Sequence, residues 1–206
     1  MIIRVLAAAA LMASASVPAL AEDMGHSPWK IGGRILVVAP DEDATVSPIG
    51  GNVDIDEAVV PELNFTYFVT PNISLELIAA TAPHEVKHTP TNLDLGEVWL
   101  LPPTLLVQYN FTPDSDTFRP YVGAGINYTV FYNVNGEASG LDVEYDNAFG
   151  FALQAGADFP INDHWSVNVD VKKIWLNTEA TIAPLGVTAD VDIDPWLIGV
   201  GLRYQF

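Results

Sequence analysis

The 206-residue sequence contains no cysteine, and only 8 lysines and arginines stand against 26 aspartates and glutamates. The missing cysteines remove disulfide frameworks, thiolate metal sites and cysteine nucleophiles together. The shortage of basic residues, with a formal net charge of −18, excludes nucleic acid as a partner, because neutralising phosphates requires clustered Lys and Arg. Past the first twenty or so residues, no apolar run is long enough to cross a bilayer as a helix. A nucleophile motif such as G-x-S-x-G is also lacking, and so is any linker that would divide the chain. The chain reads as one domain that is not an enzyme and has no cofactor.

What is present begins with a leader. Met1-Ile2-Ile3-Arg4 is a short positive segment, Val5 to Val17 is apolar and alanine-rich, and Ala19-Leu20-Ala21 supplies a small-x-small cleavage pattern. A cleaved signal over 1–21 and a single mature domain over 22–206 are expected.

In the mature part, hydrophobicity repeats every second residue, which is the period of a strand and not of a helix. Trp29, Ile31, Gly33, Ile35 and Val37 alternate with Lys30, Gly32, Arg34, Leu36 and Val38. Seven further segments do the same, near 62–69, 73–80, 101–111, 121–130, 149–159, 165–172 and 196–206. Short turns rich in Pro, Asn, Asp and Ser (70–72, 112–116 and 161–164) alternate with long connectors near 41–57, 82–99, 131–147 and 177–194. Most of the acidic residues fall in those connectors, where Lys87 is the only Lys or Arg. Eight strands with one short-turned rim and one long-looped rim predict an all-β, up-and-down antiparallel barrel.

Such a barrel could be soluble or membrane-spanning, and the faces discriminate. A soluble barrel points its greasy strip inward and carries charge outside. Here the polar strip is glycine-rich with isolated charges, and the greasy strip ends in aromatics such as Trp29, Tyr109, Trp165, Trp196, Tyr204 and Phe206. That is the girdle pattern of a transmembrane barrel, so the bacterial outer membrane is the expected location.

With the short turns placed on the periplasmic side, the inward residues sort by height. Lys30, Arg34, Glu76, Arg119, Asp158 and Arg203 form a charged group near that rim, where opposite charges must pair. Toward the long connectors the inward residues are mostly apolar: Leu36, Val38, Ile78, Pro102, Leu106 and Leu197, with Glu62 and Lys172 as exceptions. The residues leave open whether this upper half is a hollow funnel or a filled core.

The stretches LPPTLLVQYNF (Leu101 to Phe111), RPYVGAGINYTVFY (Arg119 to Tyr132) and DPWLIGVGLRYQF (Asp194 to Phe206) resemble the OmpW family of outer-membrane proteins. Trp29 to Gly33 (W-x-x-x-G) and Pro40 fit as well. The resemblance implies a Gram-negative outer-membrane barrel that takes up small hydrophobic molecules through an apolar pocket with lateral release. It also implies an apolar gate, for which the matching positions are Ile78 and Lys172. A Lys at 172 departs from the apolar gate and points to snorkelling or to pairing with Glu62 or Asp170. The aromatic ending Tyr204-Gln205-Phe206 resembles the signal read by the barrel assembly machinery. Expected partners are outer-membrane lipids, lipopolysaccharide and small hydrophobic solutes; the alternative is a filled structural or receptor barrel without transport.

His84-Glu85-Val86-Lys87-His88 matches the H-E-x-x-H zinc-protease spacing, which requires a helix. Pro83 and Pro90 bracket it, so the match reads as a loop coincidence, leaving only weak metal capture by the His pair. The Asn-x-Ser/Thr matches at Asn64, Asn72, Asn110 and Asn127 fall in strands or a tight turn and read as chance.

Overall fold

The computed structural model describes residues 27–48, 50–89, 93–135, 143–182 and 186–206. The leader expected over 1–21 lies outside them. The described chain is built from β1 (Trp29–Ala39), β2 (Asp43–Ser47), β3 (Val53–Ile55), β4 (Ala58–Phe68), β5 (Ile73–Ala80), β6 (Ala82–His88), β7 (Leu93–Leu101), β8 (Thr104–Asn110), β9 (Arg119–Asn135), β10 (Val143–Tyr145), β11 (Ala148–Pro160), β12 (Trp165–Ile182), β13 (Val187–Asp192) and β14 (Trp196–Gln205).

Strands β1, β4, β5, β8, β9, β11, β12 and β14 pair antiparallel in that order, and β14 returns to β1 from Lys30↔Gln205 to Ala39↔Trp196. The sheet is a closed eight-stranded barrel. Closure matters in lipid, where an unpaired strand edge would leave its N–H and C=O groups without partners. The 11 residues of β1, rising ~3.3 Å each and tilted by ~40°, cover about the ~25 Å apolar band of an outer membrane.

Period two fixes which residues meet lipid. Ile35, Val37, Leu63, Phe65, Val107, Ile126, Phe151, Leu153, Ile198 and Val200 are exposed on the outside, while Arg34, Leu36, Glu62, Asn64, Gln108, Asn127 and Arg203 are buried inside. Aromatic pairs ring the short-turn rim: Trp29 with Tyr67, Tyr109 with Phe111, Phe118 with Phe159, and Tyr204 with both Trp165 and Phe206. Farther up, Tyr128 packs on Phe149, and the Lys173 ammonium lies 5.1 Å from the Trp196 ring. The inward glycines make room in a narrow lumen. A Cβ at Gly199 would lie 2.5 Å from Leu36 Cδ2, and one at Gly156 would lie 2.5 Å from the Tyr121 hydroxyl.

The long connectors correct the sequence reading. They are not plain acidic loops, because much of each is strand. β12 runs to Ile182 and pairs with β13, which pairs with β2; β9 runs on to pair with β7, then β6, then β3. The wall therefore continues above the membrane. Val46, Val53, Val86, Val187 and Val191 are buried inside it, while Asp54, Glu85, Asp190 and Asp192 face water.

Candidate functional site

The interior has two storeys. In the lower one, Arg34 is a hub. Its guanidinium donates to Glu62 Oε1 at 2.5 Å, to Glu76 Oε1 at 2.8 Å and to Asn168 Oδ1 at 2.6 Å. Arg203 reaches Glu76 at 3.0 Å and Asp158 at 3.4 Å and donates to the Thr66 hydroxyl; Lys30 holds Asp158 at 2.8 Å. Lys172 binds Glu62 at 3.1 Å and also Asp170. Gln108 and Gln154 both donate to Glu76 Oε2, and the Tyr121 hydroxyl donates to Asp170 at 2.7 Å. Four cations and four carboxylates thus interlock in one buried, neutral cluster.

Two placements depart from the height reading. Glu62 and Lys172 are not stray polar groups in the apolar half; they are the top course of the ionic cluster. Lys172 accordingly does not line the apolar space above. Arg119 is half-buried at the rim, where it donates to the Ser115 carbonyl at 2.7 Å. Among the described residues it forms no ion pair, because the turn that precedes it engages its guanidinium. Lys172 pairs with both Glu62 and Asp170, the two partners its position pointed to, while Tyr121, Gln108, Gln154 and Asn168 join the cluster without having been singled out; their inward parity was the available signal.

Two residues farther up each strand, at the next inward position above this cluster, comes an apolar floor. Leu36 stands over Arg34, Ile78 over Glu76, Leu106 over Gln108 and Ile174 over Lys172, and all four are buried in one hydrophobic cluster. Above the floor is a cavity of about 210 Å³, with Leu36, Val38, Pro102 and Leu197 among its lining residues. Ile78 and Leu106 lie beneath and do not line it. The upper walls come from the strand extensions, including Val46, Ile55, Val98, Phe131, Tyr145, Val191 and Ile193. Phe131 and Tyr145 stack at 5.5 Å with planes 17° apart, and burial pushes the Tyr145 hydroxyl up to about 12, so it stays protonated. The sequence hid these walls behind acidic neighbours, although the alternation of Val187, Ala189 and Val191 with Thr188, Asp190 and Asp192 was there to find.

The barrel wall has a weak seam at the height of this cavity. The β4–β5 ladder stops at Glu62↔Ala80, although β4 continues to Ala58. Higher on that flank, Asp56 N–H meets Glu85 O at 3.4 Å. Pro61 and Pro83, which have no N–H, fall in the interval.

H-E-x-x-H lies on β6, not in a loop. On a strand, residues four apart share a face but stand ~13 Å apart, so His84 and His88 cannot hold one metal ion between them. Both rings are buried and line the cavity, with His84 Nδ1 3.0 Å from Asp56 O and His88 Nε2 3.1 Å from Gly50 O.

Comparison with known proteins agrees with this architecture. The profile of the OmpW family matches residues 29–206. An outer-membrane protein of Sinorhizobium fredii, y4mB, is 43% identical over 97% of this chain and 90% of its own. The dibenzothiophene metabolism operon protein PahQ of Pseudomonas aeruginosa is 29% identical over 88% of this chain and 90% of its own. The crystal structure of the outer membrane protein OprG from Pseudomonas aeruginosa superposes with a TM-score of 0.79 at 29% identity, covering 88% of this chain and 97% of that one.

Proposed function

The chain belongs to the OmpW family of outer-membrane barrels, and from that membership and its internal chamber we propose that it takes up small hydrophobic molecules passively. The carrying observation is the 210 Å³ cavity walled by apolar side chains above an ionic floor. A dry apolar cavity of ~150 Å³ already holds benzene, so one- or two-ring solutes are the right size. The relative named for dibenzothiophene metabolism is in keeping with that chemistry.

A solute entering from the long-connector side meets Leu36 and Leu106 and then the interlocked charges, which an apolar molecule cannot cross without breaking ion pairs. The route that avoids them runs sideways, through the interrupted flank between β4 and β6 into the lipid. The membrane-assembly role proposed for Tyr204 and Phe206 is separate from this path. The alternative, a filled barrel serving as scaffold or receptor, has no use for a chamber of this size.

The test is uptake of one- and two-ring apolar solutes by cells with and without the protein. Uptake should fall without it, and fall equally for Val60→Trp, which fills the chamber beside the seam. Equal uptake in all three strains would refute the proposal.

A further inference from the structure

His84 is the feature of the chamber that uptake of apolar solutes does not explain. Its side chain points inward because β6 alternates, with Glu85 and Lys87 outside in a 3.3 Å ion pair that marks this strand as standing in water above the lipid. The Asp56 carbonyl can only accept a hydrogen bond, so the 3.0 Å contact places the proton on Nδ1. In the neutral ring, Nε2 is then a bare lone pair. Nε2 has no hydrogen-bond partner among the described residues, yet it is not among the fully enclosed polar atoms. It keeps access to the cavity that the ring lines. Burial lowers the affinity of the ring for a second proton, which keeps the lone pair free.

We propose that His84 makes the chamber selective for small apolar solutes that carry one hydrogen-bond donor, such as phenols, over hydrocarbons of the same shape. The inference rests on the uptake reading above, because it assigns a preference within the same chamber. Three other polar groups of the lining are differently committed: the Thr129 and Thr178 hydroxyls donate to Asn127 Oδ1 and to Asp146 O, and His88 Nε2 lies 3.1 Å from Gly50 O. In an apolar surround, a donor left unpaired is penalised and one that finds Nε2 is not. The chamber therefore admits a hydroxyl where a wall of valines alone would reject it.

The experiment uses the full mature protein in lipid nanodiscs and ¹⁹F NMR titration with 4-fluorophenol and 4-fluorotoluene, which differ only as OH against CH₃. After correction for partition into empty nanodiscs, the wild type should bind the phenol about fivefold more tightly, the factor of one neutral hydrogen bond. His84→Leu should lose that preference and keep 4-fluorotoluene binding, while His84→Gln, which restores an acceptor oxygen, should regain much of it. Independently of any variant, the His84 Nε2 ¹⁵N resonance should shift with the phenol and not with the toluene. An unchanged preference in His84→Leu, or an unmoved resonance, would overturn the assignment and leave the apolar chamber standing. Binding of neither probe to the wild type would overturn both.

Discussion

The same eight strands enclose two interiors that differ in how far their side chains reach. Below Leu36, Arg34 spans the lumen to touch β4, β5 and β12, and Tyr121, Gln108 and Gln154 cross it from other walls. Above Leu36 the inward residues are shorter, with Val and Ala the commonest: Val38, Val60, Ala80, Ala82, Val98, Ala180 and Val191. Short branched side chains from opposite walls cannot meet across an eight-stranded barrel, so a space remains. Side-chain length thus separates the filled storey from the hollow one, and polarity separates the storey that repels an apolar solute from the one that accepts it.

The contrast breaks most severely at its hub. Arg34→Met should leave Glu62 with Lys172 and Glu76 with Arg203 as their only cations, give the buried cluster a net negative charge and cost about 3–5 kcal/mol, read as loss of the folded band in urea titrations in bilayers. Adding Glu76→Gln to that variant should recover part of the loss. Lys172→Met would lower the apolar floor by one course; with Asp170 still held by Tyr121 and Gln154, its cost should be smaller, about 1–3 kcal/mol. Filling the hollow storey inverts the pattern: Ala82→Phe should cut uptake of a one-ring solute severely while folding changes by about 1–3 kcal/mol or less.

The His84 ring resists protonation in the fold, and its surroundings hold Asp56, Glu85 and Lys87 as charged neighbours. Its folded pKa lies below the unfolded one. Its contribution to stability is therefore complete above the ordinary histidine value and declines as pH falls through it toward the folded pKa. Wild type should lose more stability than His84→Gln between pH 7 and pH 5 in matched urea titrations. The smallest effect belongs to the outer surface: Lys87→Ala removes exposed ion pairs to Asp56 and Glu85 and should leave the midpoint of the urea titration where it is in the wild type.

The strand faces were legible because lipid imposes a strict period: Ile35, Val37, Ile198 and Val200 have to be apolar, whatever their partners. Height was less legible. Glu62 and Lys172 look misplaced until Arg34 and Asp170 are seen beside them, and those contacts join residues 28 positions apart, Arg34 and Glu62, as readily as residues 2 apart, Lys172 and Asp170. The extracellular walls were concealed for the opposite reason. There the outer face meets water, so Asp190, Asp192 and Glu85 break up the apolar runs and the stretches pass for loops. H-E-x-x-H was conspicuous but misleading, since its meaning depends on whether the backbone repeats every 3.6 residues or every two.

The pairing of β1 with β14 sets the timetable of assembly. One flank of β1, from Lys30 to Ala39, has β14 as its partner, and Phe206 N–H closes the seam on Trp29 O at 3.2 Å. The strand nearest the start of the domain therefore waits for the strand farthest from it. Until both are present, any partly inserted sheet exposes two raw edges to hydrocarbon. Those two edges have to be sheltered until β1 meets β14, so a delay at any strand is a delay for the whole ring.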